Sequence, residues 1–302
     1  MPKICYVARN FSPGSLDLIE KANEVIVDYQ KQGYRLTLRQ LYYQFVSRDW
    51  IPNKVSEYKR LGSVVNDARL AGLIDWEAIE DRTRNLAALG HWSDPADIMS
   101  GAAYGYREDR WKSQPYRVEI WIEKEALAGV FERVCNEYDV PYLSCRGYTS
   151  QSEMWAGAMR LRRHVADHQP VVILHFGDHD PSGIDMSRDI RDRMDIFGAR
   201  LEFRRLALNM DQVEKYEPPP NPAKETDSRF AGYIRQFGHE SWELDALNPK
   251  ILSDLVAGEL DSLIERKAWK AAGTRMERNK DLLRKAAERW DEVANMLEKD
   301  RS

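Results

Sequence analysis

The chain is poor in cysteine, with only Cys5, Cys135 and Cys145 among its 302 residues. They show no C-x-x-C spacing, and an odd number in a chain of this length argues against a disulfide scaffold. Long apolar runs are missing too, and none approaches the roughly 18 residues that a membrane span needs. The opening MPKICYVARNFSPG has no basic stretch followed by an apolar core, so no signal peptide is read there. No G-x-x-x-x-G-K-[ST] phosphate loop, internal repeat or low-complexity stretch occurs. Nor is there an overall basic excess: 45 Lys+Arg face 49 Asp+Glu, a net charge of −4. These absences exclude a disulfide-stapled secreted fold, a membrane-spanning chain, a P-loop ATPase module and a protein that coats nucleic acid nonspecifically. They lead us to expect a cytoplasmic protein. Any nucleic-acid face has to be local.

What is present divides into two kinds of pattern. Up to about residue 80 the chain reads as helices. SLDLIEKANEVIVDYQKQG carries Leu18, Ile19, Ala22, Val25, Ile26 and Tyr29 at three- and four-residue spacing, with Gly33 as a stop. Thr37 can cap a second helix, LRQLYYQFVSRDW, and a third, VSEYKRLGSVVNDARLAG, ends at Gly72. LIDWEAIEDRTRN then suits a hairpin. Three helices and a hairpin make the winged-helix plan, in which the third helix enters the major groove. Residues 86–114 are rich in Gly, Ala, Asp and Ser and read as a linker or flap. From residue 115 onward strands alternate with helices: YRVEIWI, PYLSCRG, PVVILHF and RLEFRRLAL are strands, and the segments between them are helical. That alternation implies an α/β domain with a mostly parallel sheet, helices on both faces. EPPPNPAKETD reads as a Pro-rich loop, and the charged tail as helix. The expected organisation is therefore a winged-helix domain at 1–90, a linker at 91–114, the α/β domain at 115–265 and a helical extension at 266–302.

In an open α/β sheet, functional groups collect at the carboxyl ends of the strands. Two strands here run into acids. YRVEIWI leads to Glu123-Lys124-Glu125, and PVVILHF leads to Gly177-Asp178-His179-Asp180-Pro181-Ser182-Gly183. The alternation Asp178, His179, Asp180 lets two carboxylates face one pocket, and Pro181 opens a helix. Clustered carboxylate oxygens suit Mg²⁺, which takes few protein ligands and keeps waters or phosphate oxygens. Acids at strand–helix junctions also serve simply as helix caps.

Ile122-Glu123-Lys124-Glu125-Ala126 followed by Asp178-His179-Asp180-Pro181-Ser182-Gly183 resembles a Toprim domain. More narrowly, the pair resembles the V-E-K-[DE]-A and D-x-D-P-x-G patterns of the topoisomerase VI A subunit and the meiotic double-strand-break transesterase. Cys145-Arg146-Gly147-Tyr148-Thr149 stands where the family shows G-K-G-Y-P, with Arg for Lys and Thr for Pro. The resemblance covers roughly residues 30–265 and is nearest to the standalone "mini-A" type. It implies that Glu123, Asp178 and Asp180 hold Mg²⁺, with Mn²⁺ as a substitute.

The same family carries a nucleophilic tyrosine in a pattern like R-D-[IVL]-[YF]-Y, and this chain reads Arg39-Gln40-Leu41-Tyr42-Tyr43. The resemblance makes Tyr43 the nucleophile. Arg39, four residues earlier on the same helix face, can favour the phenolate or hold the attacked phosphate. Tyr42 falls in the apolar stripe of Leu38, Leu41 and Phe45. The expected partner is double-stranded DNA, met by Lys59, Arg60 and Arg69 on the third helix, Arg82 and Arg84 in the hairpin, and Lys124. Phosphate contacts are expected more than base contacts. The implied activity is a Mg²⁺-dependent double-strand break with 5′-phosphotyrosyl ends, of the isomerase class, made by a nucleoid-associated homodimer whose sites are shared between chains. Two alternatives stay open: a Toprim nuclease that hydrolyses DNA with water, and a non-catalytic DNA-binding protein.

Overall fold

The computed structural model of the chain describes residues 3–80 and 89–299. Packing divides the chain into two compact units, one of Met1–Arg84 with Val118–Leu260 and one of Asn85–Arg117 with Asp261–Ser302. The first unit takes in both the N-terminal helices and the sheet.

Three helices open it: α1 (Pro13–Lys31), α2 (Leu38–Ser47) and α3 (Val55–Leu70). Leu18, Ile19, Ala22, Val25, Ile26 and Tyr29, the stripe expected for α1, are all buried. Thr37 caps α2 as expected. Its hydroxyl accepts from the Gln40 N–H at 3.2 Å, and the Gln40 side chain accepts from the Thr37 N–H at 2.9 Å, a reciprocal capping box. Every residue from Gln40 to Val46 is buried, so α2 runs through the middle of the helical core.

The hairpin expected after α3 does not form in residues 73–80. The Asp75 carboxylate accepts from the Glu77 N–H at 2.9 Å and from Gln30 Nε2 at 3.2 Å. The Arg69 guanidinium donates to the carbonyls of Trp76 at 2.7 Å and Ile79 at 3.1 Å. Such local bonds satisfy the backbone in a turn and compete with strand pairing. A parallel bridge between Leu36 and Ile79 ties the segment to the start of α2. Arg82 and Arg84 lie outside the described residues.

Helix α4 (Pro95–Gly105) belongs to the second unit. The sheet of the first unit is four-stranded and parallel: β1 (Arg117–Ile122), β2 (Tyr142–Ser144), β3 (Val171–Phe176) and β4 (Glu202–Ala207), in the order β2-β1-β3-β4. Helices α5 (Ala128–Glu137), α6 (Gln151–Ala166) and α7 (Pro181–Ile196) connect consecutive strands. All six residues of β3 are buried, as its unbroken apolar run requires of a strand covered on both faces. Trp121, Met154, Leu161, Ile173 and Met194 share one core cluster, and burying each aliphatic side chain of this kind contributes about 1.5–3 kcal/mol. Then come α8 (Met210–Tyr216), the short antiparallel pair β5 (Asn221–Pro222) and β6 (Glu240–Ser241) with α9 (Phe230–Phe237) between them, and α10 (Pro249–Leu263). A single 3-10 turn, Leu244–Ala246, precedes α10. Ala246 packs into the helical core with α2, and Leu244 is fully buried.

The second unit combines α4 with α11 (Arg266–Glu288) and α12 (Trp290–Lys299). Residues 91–114, read from composition as a linker, thus contain a helix. Asp94 caps α4 by accepting from the Asp97 N–H at 2.7 Å, with Pro95 at the first turn. Trp111 is fully buried against Trp269, their ring centroids 5.4 Å apart, and the Arg110 guanidinium lies 3.6 Å from the Trp269 ring centroid. Among the described residues no helix is long and apolar enough to cross a membrane.

Candidate active site

Strands β1 and β3 end side by side. The Glu123 N–H donates to the Phe176 carbonyl at 2.8 Å, and the Glu123 carboxylate turns across to accept from the Asp178 N–H at 2.8 Å. The acid-bearing ends of two strands are therefore stitched together. Two glycines permit this approach. A Cβ on Gly177 would lie 2.9 Å from the Glu123 carboxylate, and one on Gly183 would run into the Asp178 carbonyl.

Arg205, from β4, sits half-buried beneath this corner. It donates to the carbonyls of Asp178 at 2.6 Å, Gly177 at 3.0 Å and Gly183 at 3.0 Å. Nothing in RLEFRRLAL marked one of two adjacent arginines for this task. Asp180 caps α7 by accepting from the Gly183 N–H at 2.6 Å, the bland role open to it from sequence. His179 faces the other way. Its Nδ1 lies 2.8 Å from the Tyr233 hydroxyl, within a cage of Tyr233, Phe237 and Trp242, and burial pulls its pKa down to about 4.

Asp178 is the most engaged of the three acids. One oxygen accepts from the Leu244 N–H at 2.7 Å and the other pairs with Lys124 Nζ at 2.8 Å. Lys124, expected to meet DNA, instead places its ammonium among three carboxylates, with Glu243 at 2.6 Å and Asp245 at 3.1 Å besides Asp178. The same two acids hold Arg39, whose guanidinium pairs with Glu243 and lies 3.0 Å from Asp245. One turn along α2 from Arg39 stands Tyr43, its ring centroid 5.8 Å from the guanidinium carbon. Arg39, with the Tyr43 ring beside it, is thus joined to Lys124 and Asp178 by a continuous chain of ion pairs.

Glu243 and Asp245 were not singled out from sequence. Their signal was available: Glu243-Leu244-Asp245 repeats the acid alternation of Asp178-His179-Asp180. Packing brings them in, because Leu244 and Ala246 are buried on either side of Asp245.

The electrostatics follow from burial and neighbours. Burial would discharge Lys124, but Asp245, Asp178 and Glu243 keep it protonated well above its ordinary range. Burial opposes the charge on Glu243, yet Lys124 and Arg39 hold it at about 2. Asp178 is pushed upward by burial and by Glu123 and Asp245, against the pull of Lys124. For Tyr43, burial and then the Asp245 and Glu243 carboxylates drive the phenol up, and Arg39 and Lys124 only partly offset them. The Tyr42 hydroxyl is spent on Asn53 at 3.0 Å and the Lys54 carbonyl at 3.2 Å. Both tyrosines line a cavity of about 300 Å³ with Arg39, Asn53, Tyr58 and Glu243.

Among the described residues, no three His, Cys, Asp or Glu side chains are set to enclose a metal by themselves. The donor chemistry nevertheless suits a hard divalent cation. The nearby Asp180 carboxylate adds to burial in raising Glu123, and each of the two acids has a second oxygen that accepts no hydrogen bond from the described residues. Five carboxylates here (Glu123, Asp178, Asp180, Glu243, Asp245) face Lys124, Arg39 and Arg205, an acid excess of two. Mg²⁺ is commonly held by one or two carboxylates plus water and phosphate oxygens, so Glu123 and Asp180 fit it, with Asp178 already committed.

The remaining expected DNA contacts diverge. Lys59 is exposed. Arg60 is exposed but paired with Glu57 at 2.6 Å. Arg69 is turned inward onto two carbonyls and the Trp76 ring, 4.6 Å from its centroid.

Comparison with family models, with curated proteins and with solved structures returns no match.

Proposed function

We propose that this chain cleaves DNA by transesterification through Tyr43, in the manner of the topoisomerase VI A subunit that its motifs resemble. One observation carries the reading: Arg39 of α2, with the Tyr43 ring beside it, is linked by shared ion pairs through Glu243 and Lys124 to Asp178, whose N–H donates to Glu123, so segments far apart in sequence meet in one compact unit. In this reading α1–α3 serve as a winged-helix-like DNA platform, and the parallel sheet is a Toprim domain.

The Tyr43 oxygen attacks phosphorus, the bond from phosphorus to the 3′ oxygen breaks, and the phenol proton ends on the departing 3′ hydroxyl. The product is a 5′-phosphotyrosyl bond. Arg39 holds the phosphate and balances the charge that develops on it. Mg²⁺ on Glu123 and Asp180 would polarise the phosphodiester. Lys124 holds Asp178, Glu243 and Asp245 together, and Arg205 fixes the backbone that carries Asp178.

Two nucleophiles are needed for a double-strand cut, and each chain has one RQLYY, so the enzyme works as a homodimer on the pseudo-two-fold duplex. Tyr43 already neighbours the acids of its own chain, whereas the family resemblance implies sites shared between chains. Mixing Tyr43→Phe with Asp180→Ala chains separates the two arrangements. Shared sites leave one good site in the heterodimer, which nicks; sites built within one chain leave none.

The test is incubation with supercoiled DNA and Mg²⁺, then denaturation and a search for protein-linked ends. Adducts that vanish in EDTA, and with Tyr43→Phe, support the reading. A second reading, hydrolysis by water, is favoured by the burial and raised phenol of Tyr43. Normal cutting by Tyr43→Phe without adducts would select it.

A further inference from the structure

Arg39 and Lys124, the two cations that pull on Tyr43, are already occupied. Glu243 bridges them through one oxygen: its Oε2 pairs with the guanidinium and lies 2.6 Å from the ammonium. Asp245 touches both as well, at 3.0 Å and 3.1 Å. The two acids are not equivalent. The Asp245 side chain is 0% exposed and pinned by buried neighbours. The Glu243 side chain is 26% exposed and lines the cavity that also holds Tyr43. It precedes the 3-10 turn on extended backbone and caps nothing with its side chain.

A carboxylate oxygen held between a guanidinium and an ammonium makes the contacts that one phosphodiester oxygen would make there: one negative charge shared by two cationic donors. We infer that the Glu243 carboxylate is an internal stand-in for a phosphodiester, holding the Arg39–Lys124 pair beside Tyr43 and swinging toward solvent when a substrate phosphate takes its place. This rests on the reading of the site as one that cleaves phosphodiesters. Charge favours exchange over addition. The carboxyls already outnumber the cations, so a phosphate added with Glu243 in place would compete with it for Arg39 and Lys124 and set a further negative charge beside those acids. Exchange leaves the count unchanged. Glu243 can reach water by side-chain rotation, and Asp245 cannot.

The test measures binding of the dinucleoside phosphate dTpdT in EDTA, where neither cleavage nor metal enters. Glu243→Gln keeps the shape and removes the charge. It should bind dTpdT about tenfold more tightly than the parent, the scale of one partly exposed ion pair. Glu240→Gln, an exposed acid on β6, should change binding by less than about twofold, since it lacks these pairs. Arg39→Gln combined with Glu243→Gln should lose the gain, because the freed cation is gone. Glu243→Asp keeps the charge with a shorter reach and should fall between parent and Gln, which guards against a Gln variant that folds poorly. A Glu243→Gln protein that binds no more tightly than the parent overturns the inference, as does an equal gain in Glu240→Gln. The two readings fail separately. If the parent forms adducts on DNA but Glu243→Gln gains nothing, the stand-in is wrong and the cleavage reading stays. If Glu243→Gln gains on dTpdT yet no variant attaches to or cuts DNA, the exchange stands and the cleavage reading falls.

Discussion

Helices α2 and α3 follow one another and both carry arginine, yet their cations meet different partners. On α2, Arg39 reaches across to Glu243 and Asp245, acids about 200 residues further along the chain. On α3, Arg60 pairs with Glu57 one turn away, Arg69 folds back onto nearby carbonyls, and Lys59 faces water. A local or solvated charge contributes little and is easily exchanged. A cation that ties together acids from distant segments, one of them fully buried, cannot be removed without leaving that acid unbalanced. A functional cation is identified by what faces it, not by its place in a basic stretch.

The sharpest break of this contrast is at Tyr43. Tyr43→Phe should abolish covalent adducts, a loss of at least about 10³-fold. Its melting temperature should stay within about 2 °C of the parent, since one hydroxyl is lost and no cavity forms. Tyr42→Phe should still form adducts; the reverse outcome would move the nucleophile by one residue.

Lys124→Met comes next. Removing the cation shared by Asp178, Glu243 and Asp245 should cost about 3–5 kcal/mol in chemical unfolding. An unchanged unfolding midpoint, with DNA binding weakened instead, would return Lys124 to the role of a DNA contact.

Arg39→Ala should slow cleavage about 10²-fold while leaving divalent-ion affinity unchanged. Lys59→Ala should weaken binding about evenly across DNA sequences and lower the salt slope by about 1. If the two variants lost the same property to the same degree, α2 and α3 would not differ in kind.

The smallest effect is on pH. Burial pulls His179 from 6.5 to about 4 and His175 from 6.5 to about 3. The unfolded chain therefore takes up protons near pH 6.5 that the folded chain resists, so stability falls as pH falls from 6.5 toward 4. His179→Phe, which fits its aromatic cage, should flatten that slope in denaturant titrations. A slope equal to the parent's would mean that His179 is protonated in the fold.

Much of this architecture is legible in the residues. The spacing of Leu18 through Tyr29 marks α1, and the unbroken run Val171–Phe176 marks a strand covered on both faces, because periodicity and burial are linked directly. Thr37 with Gln40 announces the start of α2 through hydrogen bonds that close within one turn. Arg39 and Tyr43 share a helix face for the same reason. The composition of residues 91–114 misled, since Gly, Ala and Ser suggest a linker although Asp94-Pro95 is a sound helix start. No hairpin forms over 73–80 because Asp75 and Arg69 supply side-chain bonds that replace a ladder.

Sequence by itself determined the local elements and placed Glu123, Asp178 and Asp180 at strand ends, since strand, turn and cap depend on neighbours a few residues apart. Only the tertiary structure decided what those acids meet. Glu243 and Asp245 are carried to Arg39 and Lys124 by the burial of Leu244 and Ala246, and Arg205 reaches the GDHDPSG corner because β4 pairs with β3. Long-range charge pairing follows the packing of apolar side chains, and a short motif holds no record of which distant segment that packing will bring.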